Sequence, residues 1–162
     1  QLRGEIERVL SLTPDAVCNE LDRFDCTHEV HRVALGGTDP YFANVYAPAA
    51  EPPLNAPLAW ERVVLTACAE RVDRDLAEPE AAAWLVDVEL DAQGRLDPAS
   101  APATAVVRGL YREALARNPS ADELEQWRQA YADLETSELM PGRAWARLVC
   151  GAVLTSAEFV FY

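Results

Sequence analysis

The chain has 162 residues, and half of them are apolar, which is enough for the core of a single domain. Its 27 acidic residues outnumber 14 basic ones, and the formal net charge of −13 disfavours nucleic acid and anionic membrane surfaces as partners, because both are bound mainly through positive charge. No apolar run is expected to reach the roughly 20 residues of a transmembrane helix, so we expect a chain that does not span a membrane.

The cysteine count and the first residue both indicate export. Four cysteines are an even number, as is usual for disulfide-bonded proteins of an oxidising compartment. The chain begins at Gln1 rather than Met, as the product of a signal peptidase does, although any shortened chain would begin in the same way. We therefore expect a periplasmic, extracellular or cell-surface protein.

Residues 1–37 predict three short helices. The first has apolar residues at helical spacing: Leu2, Ile6, Val9 and Leu10. Thr13 and Pro14 suit the cap and the first position of a second helix, which we expect to end at Leu21 and Phe24. The third should stop at the two glycines of positions 36–37.

Residues 38–57 predict a long Pro-rich loop. They contain five prolines, which interrupt regular structure, together with the aromatic residues Tyr41, Phe42 and Tyr46. Disordered linkers carry few aromatic residues, so we expect an ordered loop that lies across the helices. These three side chains are candidate interface contacts, since aromatic residues anchor protein interfaces.

The longest predicted helix covers residues 58–77, with Asn55 as a possible cap and Pro57 as a possible first residue. Its predicted inward face consists of Leu58, Leu65, Cys68, Val72 and Leu76. Its predicted solvent face consists of Arg62, Glu70, Arg71, Asp73, Arg74 and Asp75.

Residues 84–96 change to an alternating pattern and predict a small β-hairpin. Apolar side chains stand at every second position of the first strand: Trp84, Val86, Val88 and Leu90. Gln93 and Gly94 predict the turn, after which Arg95 and Leu96 begin a short returning strand. Such a hairpin needs helices to cover its apolar face.

Asp87, Glu89 and Asp91 alternate with those apolar residues. Oxygen ligands at alternate positions resemble a calcium-binding loop, but Ala92 stands where the invariant Gly belongs and Pro98 where the bidentate Glu belongs. We favour the interpretation that these carboxylates form a solvated strand edge, which discourages pairing with other chains.

Residues 102–162 predict the C-terminal helices around which the chain is organised. Pro119 prevents continuation of the first helix, and Ser120 with Glu123 forms a capping box that begins the second. Thr155 with Glu158 predicts another capping box for a terminal turn. The fold class expected for residues 1–162 is therefore mostly α: a single-domain bundle of five to seven helices with one small hairpin and the ordered Pro-rich loop.

The last third resembles a known group of sequences. The stretches GLYREALARNPSADELEQW and AWARLVCGAVLTSAEFVFY are similar to the C-terminal helical segment of large secreted planctomycete-type proteins of unknown function, which often accompanies cytochrome c-like domains. They are also similar to secreted helical repeats of the phycobilisome-linker-like kind. The resemblance implies helical structure and a possible haem-bearing partner, but no catalytic residue. The chain has no Cys-x-x-Cys-His motif for a covalent haem of its own.

Among three possible connectivities of the cysteines, we favour Cys18–Cys26 and Cys68–Cys150. The first pair straddles the end of one predicted helix, and the second pair occupies inward positions on two predicted helices. Four free buried thiols are the alternative. A zinc site is disfavoured because the paired short spacing is missing.

His28 and His31, the only histidines, are weak candidates for a metal or haem site because residues three apart share a helical face. No His-Glu-x-x-His motif supports that role, so we expect histidines bonded to the backbone or to carboxylates. No metal and no cofactor is predicted.

The expected function is a non-catalytic structural or docking subunit of an exported assembly of protein subunits. No nucleophile motif, Gly-rich phosphate loop or basic cleft predicts an enzyme. Further interface candidates at the C-terminal end are Phe159, Phe161 and Tyr162. The alternatives are an accessory subunit of an electron-transfer complex that packs against a haem protein and, third, a small metal-binding protein or hydrolase.

Overall fold

The structure, a computed structural model, describes residues 2–21 and 23–161. This part of the chain is 59% helical, with seven α-helices and one two-stranded antiparallel hairpin. The predicted mostly α fold is therefore confirmed. The helices are α1 (Leu2–Leu10), α2 (Pro14–Val17), α3 (Ala56–Ala77), α4 (Ala101–Leu115), α5 (Ala121–Ser137), α6 (Pro141–Leu154) and α7 (Ala157–Phe161). Two shorter turns are the π-helical Cys26–Val30 and the 3-10 helix Pro79–Ala81.

The hairpin lies near the N-terminus rather than at residues 84–96. Strand β1 (Asn19–Glu20) pairs with β2 (Phe24–Asp25), and Leu21 in the turn between them has a φ of +56°. The predicted second helix is wrong beyond Val17, because the chain becomes extended at Cys18 to form this hairpin and bring Cys18 to Cys26.

Residues 84–96 form turns, so the predicted strand is wrong. Leu85 is buried and Val86 is 50% exposed, which reverses the expected alternation at these two positions, whereas Val88 packs against the core as expected. The physical reason lies in α3, where the carboxylate of Asp75 accepts hydrogen bonds from the backbone N–H groups of residues 83–85. Donors engaged in this way cannot form the ladder of a sheet.

The face that α3 turns inward also differs from the prediction. Its buried residues are Ala59, Trp60, Val63, Val64, Ala67, Cys68, Arg71, Val72 and Asp75. Leu58 and Leu65 are 70% and 49% exposed, so their predicted place in the core is wrong. Arg71 and Asp75 were expected to face solvent and are instead buried together, with Nη2 and Oδ1 2.6 Å apart.

Helix α6 packs antiparallel on α3. As residue numbers rise along α3, the numbers of their partners on α6 fall. Leu65 lies near Gly151, and Cys68 is bonded to Cys150. Asp73 forms an ion pair with Arg147. A Cβ at Gly151 would lie 2.9 Å from the Leu65 side chain, so the glycine permits this close approach. The C-terminal third is thus part of the core.

Local signals in the last third are partly confirmed. The Ser120–Glu123 capping box is present at the start of α5. The predicted Thr155–Glu158 box is wrong, because the Thr155 hydroxyl donates to the carbonyl of Gly151 in α6. Ser156 instead accepts from the N–H of Phe159 and begins α7.

The segment Pro141–Phe161 is long and apolar enough to cross a membrane, with a mean hydropathy of 1.4 over an 18-residue window. The expectation that the chain has no such run is therefore wrong. The segment is divided into α6 and α7, and 44% of that window is buried inside the fold. Length and composition alone do not distinguish a membrane helix from a core helix of this kind.

Candidate functional site

A loop of residues 36–49, called the aromatic loop below, projects from the helices and is closed by backbone hydrogen bonds. At its base, the N–H of Ala49 donates to the carbonyl of Gly36 over 3.0 Å. Further along, Asp39 and Val45 exchange both N–H···O bonds, at 2.9 and 3.0 Å. These bonds hold the two sides of the loop together, which limits its backbone freedom.

The aromatic side chains of this loop face solvent. Tyr41 and Phe42 are 90% and 93% exposed, and Tyr46 is 76% exposed. The carboxylate of Asp39 accepts hydrogen bonds from the N–H groups of Tyr41 and Phe42, at 3.3 and 3.1 Å, and so fixes the turn that carries them. These three side chains do not pack across the helices, so the expectation of a loop that lies across them is wrong here, whereas their role as interface contacts stays a prediction.

The C-terminal interface candidates divide into two kinds. Phe159 is only 6% exposed and belongs to the core, so its predicted role as an exposed contact is wrong. Phe161 is 84% exposed and remains available to a partner. Tyr162 lies outside the residues that the structure describes.

A groove of about 910 Å³ lies between α1, the π-helical turn, the start of α3, the end of α4 and α7. Its apolar lining includes Leu2, Leu35, Trp60, Leu115, Phe159 and Val160. Arg8 lines it too and joins α1 to α4 through bonds to the Glu113 carboxylate and carbonyl at 3.1 and 2.8 Å. Within α1 it also donates to Glu5 at 3.0 Å.

A second arginine of the groove, Arg3, ties α1 to the disulfide-bonded hairpin. Its guanidinium lies 2.9 Å from the carboxylate of Asp25 and 3.0 Å from that of Glu7. It also donates to the hydroxyl of Thr27 at 2.7 Å and to the carbonyl of Pro14 at 2.7 Å. The guanidinium groups of both arginines are therefore engaged by acceptors of the protein itself.

The two histidines have different surroundings. His28 is exposed and lies at the groove, whereas His31 Nε2 is 3.1 Å from the carboxylate of Glu20. Glu20 is shared with Arg62, whose Nε lies 3.3 Å away. Over residues 2–21 and 23–161, no three His, Cys, Asp or Glu side chains are grouped so that they could hold a metal ion.

The three carboxylates of residues 87–91 do not share the face of a strand. Asp91 accepts hydrogen bonds from the N–H groups of Gln93 and Arg95, both at 2.8 Å, and thereby forms a turn. Asp87 and Glu89 are exposed, and Asp87 has a φ of +59°. The solvated strand edge predicted from the alternation is therefore wrong in structure, although the carboxylates do face water.

Both predicted disulfides are present. Cys18 and Cys26 have Cα atoms 5.4 Å apart and close the hairpin, and Cys68 and Cys150 are 5.7 Å apart and join α3 to α6. These separations are ordinary for a bridge. The two disulfides fit an oxidising compartment.

A charged cluster that the sequence analysis missed joins α7 to the α4–α5 connection. Arg117 donates to Glu158 at 2.7 and 2.9 Å and to Glu123 at 2.9 and 2.8 Å, with its guanidinium 5.1 Å from the ring of Tyr111. The hydrogen bonds from Arg117 lower the pKa of Glu123 to about 2 and also lower the pKa of Glu158. The predicted capping boxes had named Glu123 and Glu158 separately, but no local signal indicated that Arg117 would bind both.

Asp75 is another charged residue whose place the sequence pattern predicted wrongly, because it was assigned to the solvent face of α3. It is 1% exposed, accepts from the N–H groups of Ala83, Trp84 and Leu85 at 2.8–3.0 Å, and forms an ion pair with Arg71. The spacing of Arg71 and Asp75, four apart on one helix, was the available signal. It does not distinguish a buried pair from an exposed one.

Comparison with protein-family models, with curated proteins and with solved structures finds no match to this chain. The resemblance of the last third to secreted planctomycete-type helical segments therefore stays a prediction. Any function has to follow from the loop, the groove and the charges described above.

Proposed function

We propose that this chain is a non-catalytic docking subunit of an exported protein assembly, and that the aromatic loop contacts the partner subunit. One observation carries the proposal: Tyr41 and Phe42 are almost fully exposed on a loop whose backbone is closed by its own hydrogen bonds. A large aromatic side chain in water forgoes the free energy that its burial would provide. Burial against a partner would recover it.

The loop geometry favours binding in a second way. Ordering a flexible segment on association costs free energy, and a segment that is already fixed avoids most of that cost. The Asp39 carboxylate and the Asp39–Val45 backbone pair fix the turn before any partner arrives. Rigid aromatic residues of this kind are typical of the few positions that dominate interface energy.

The charge of the chain indicates the partner. A formal charge of −13 makes association with a second copy of this chain unfavourable, whereas a subunit with a basic surface would be attracted. The two disulfides support an assembly in an oxidising compartment, such as the periplasm or the cell surface.

The test replaces the two most exposed of the three loop aromatics, Tyr41→Ser together with Phe42→Ser, in the protein expressed in its native host. We expect the partner association to weaken at least about thirtyfold, since a single interface anchor contributes about 2 kcal/mol or more. The thermal midpoint should not change, because neither side chain packs in the core.

Leu139→Ser is the matched control, because Leu139 is 95% exposed and lies in the connection between α5 and α6. It should leave partner association unchanged. An absorption spectrum of the isolated complex tests the haem-protein alternative through the haem bands of the partner. Equal association of the double variant and the unmodified protein would refute the docking role of the loop.

A further inference from the structure

Trp60, one of the residues that line the groove, carries a buried hydrogen-bond donor with no acceptor. The chain has four tryptophans, and three of their indole N–H groups donate to protein oxygens at 2.9–3.2 Å: those of Trp84, Trp127 and Trp145. Trp60 is only 8% exposed. Its indole nitrogen is buried and has no hydrogen-bond partner among the described residues. Buried donors of this kind are nearly always paired, so an unpaired one calls for an explanation.

The position of Trp60 suggests why its indole N–H has no partner within the protein. It lies at the start of α3 and lines the groove. The volume of about 910 Å³ is within the range of roughly 300–1,000 Å³ typical of sites for small molecules. Such sites have mainly apolar walls with a few polar groups that fix the orientation of the ligand. Trp60 is one residue of this wall, and its N–H group lies buried behind the groove surface.

The charges of the groove indicate that its ligand is neutral. Arg3 and Arg8 are balanced by Glu5 and Glu113 among the lining residues, and both guanidiniums already contact protein acceptors. A carboxylate ligand would find no free guanidinium there and would also face a chain of net charge −13. An uncharged acceptor requires only the indole N–H.

We propose that the groove binds an uncharged, mainly apolar molecule with one hydrogen-bond acceptor, such as a ketone, ester or amide carbonyl, and that Trp60 Nε1–H donates to it. The nitrogen has almost no accessible surface. The ligand must therefore displace side chains that cover it, and the new hydrogen bond is the gain specific to the bound state. This proposal is independent of the docking role of the aromatic loop.

The experiment uses decan-2-one, which has a carbonyl acceptor, and nonane, which has none. Binding is followed through the four indole N–H signals in a nitrogen-15 NMR spectrum, with the Trp60 signal assigned by its loss in Trp60→Phe. Decan-2-one should shift the Trp60 signal downfield more strongly than the other three. Trp60→Phe should weaken decan-2-one binding about three- to tenfold, as for one hydrogen bond, and change nonane binding less than about twofold.

Two variants on α4 provide a second, independent measurement. Ala114 is half-buried at the groove, and Ala114→Trp should fill the space and abolish binding of both probes. Gly109→Ala is the control, since a Cβ there meets nothing within 4 Å and Gly109 does not line this groove. Thermal midpoints of all variants establish that they are folded.

The proposal is overturned if Trp60→Phe binds decan-2-one as tightly as the unmodified protein, or if Ala114→Trp still binds both probes. It is also overturned if decan-2-one does not shift the Trp60 signal. The other possible occupant of the groove is a second copy of this chain, which is tested by sedimentation of the protein without added probe. A dimer that Ala114→Trp dissociates would overturn the proposal, because a second copy and not a small molecule would then cover the groove.

Discussion

The buried carboxylate of Asp75 gives the sharpest test of how this fold is held together. Its oxygens accept three backbone N–H groups of residues 83–85, and Oδ1 lies 2.6 Å from Nη2 of Arg71. The side chain of Asp75 has no exposed surface, and that of Arg71 is 9% exposed. The carboxylate therefore joins the connection after α3 to the helix and also balances a buried cation.

Asp75→Asn keeps the shape of the side chain and removes its charge. Loss of one partner from a buried ion pair costs about 3–5 kcal/mol, because the remaining charge is left without compensation. The amide also replaces one acceptor oxygen with a donor that faces backbone N–H groups. For a chain of this size, about 2–4 °C per kcal/mol then predicts a thermal midpoint lowered by roughly 6–20 °C.

Asp73→Asn is the matched control, two residues earlier on the same helix. Asp73 contacts Arg147 at 2.6 Å, but their side chains are 43% and 40% exposed, and an exposed pair contributes about 1 kcal/mol or less. Both variants are compared by urea unfolding. If Asp75→Asn and Asp73→Asn destabilise the protein equally, the reasoning about the buried pair is refuted.

A double-mutant cycle separates the pair from its surroundings. Arg71→Met removes the cation, and its combination with Asp75→Asn should cost at least about 1 kcal/mol less than the sum of the single changes, because neither charge is left alone. Additive effects would show that the two side chains act independently.

Two further predictions concern the acid sensitivity and the long disulfide. The pKa of Glu123 is about 2 in the folded protein, below its ordinary 4.5, so the stabilisation by Arg117 should be lost as the pH falls from about 4.5 towards 2. In urea unfolding at several pH values, the advantage over Glu123→Gln should shrink over that range, and a constant difference would contradict it. Replacing both Cys68 and Cys150 with Ala should cost roughly 4–5 kcal/mol in the chain-entropy model for a separation of 82 residues. A loss below about 1 kcal/mol would show that the bridge constrains the unfolded chain little.

The sequence by itself determined the helices of the last third and their order. Ser120 and Glu123 lie three residues apart, and Pro119 acts on the backbone next to it, so these signals need no distant partner. The Cys68–Cys150 disulfide was also predictable, because both residues stand at positions that were correctly predicted to face inward. The Cys18–Cys26 pair was predicted from a helix end that the structure places earlier, at Val17.

Only the tertiary structure decided which face of α3 is buried and where the hairpin lies. Leu58 and Leu65 looked more suitable for the core than Arg71 and Asp75, and the sequence contains no local sign that residues 83–85 would satisfy the Asp75 carboxylate. The same holds for the exposure of the aromatic loop and for the unpaired donor of Trp60. Each depends on which groups from distant parts of the chain meet, because burial of a charge or a donor is decided by its partners rather than by its neighbours in sequence.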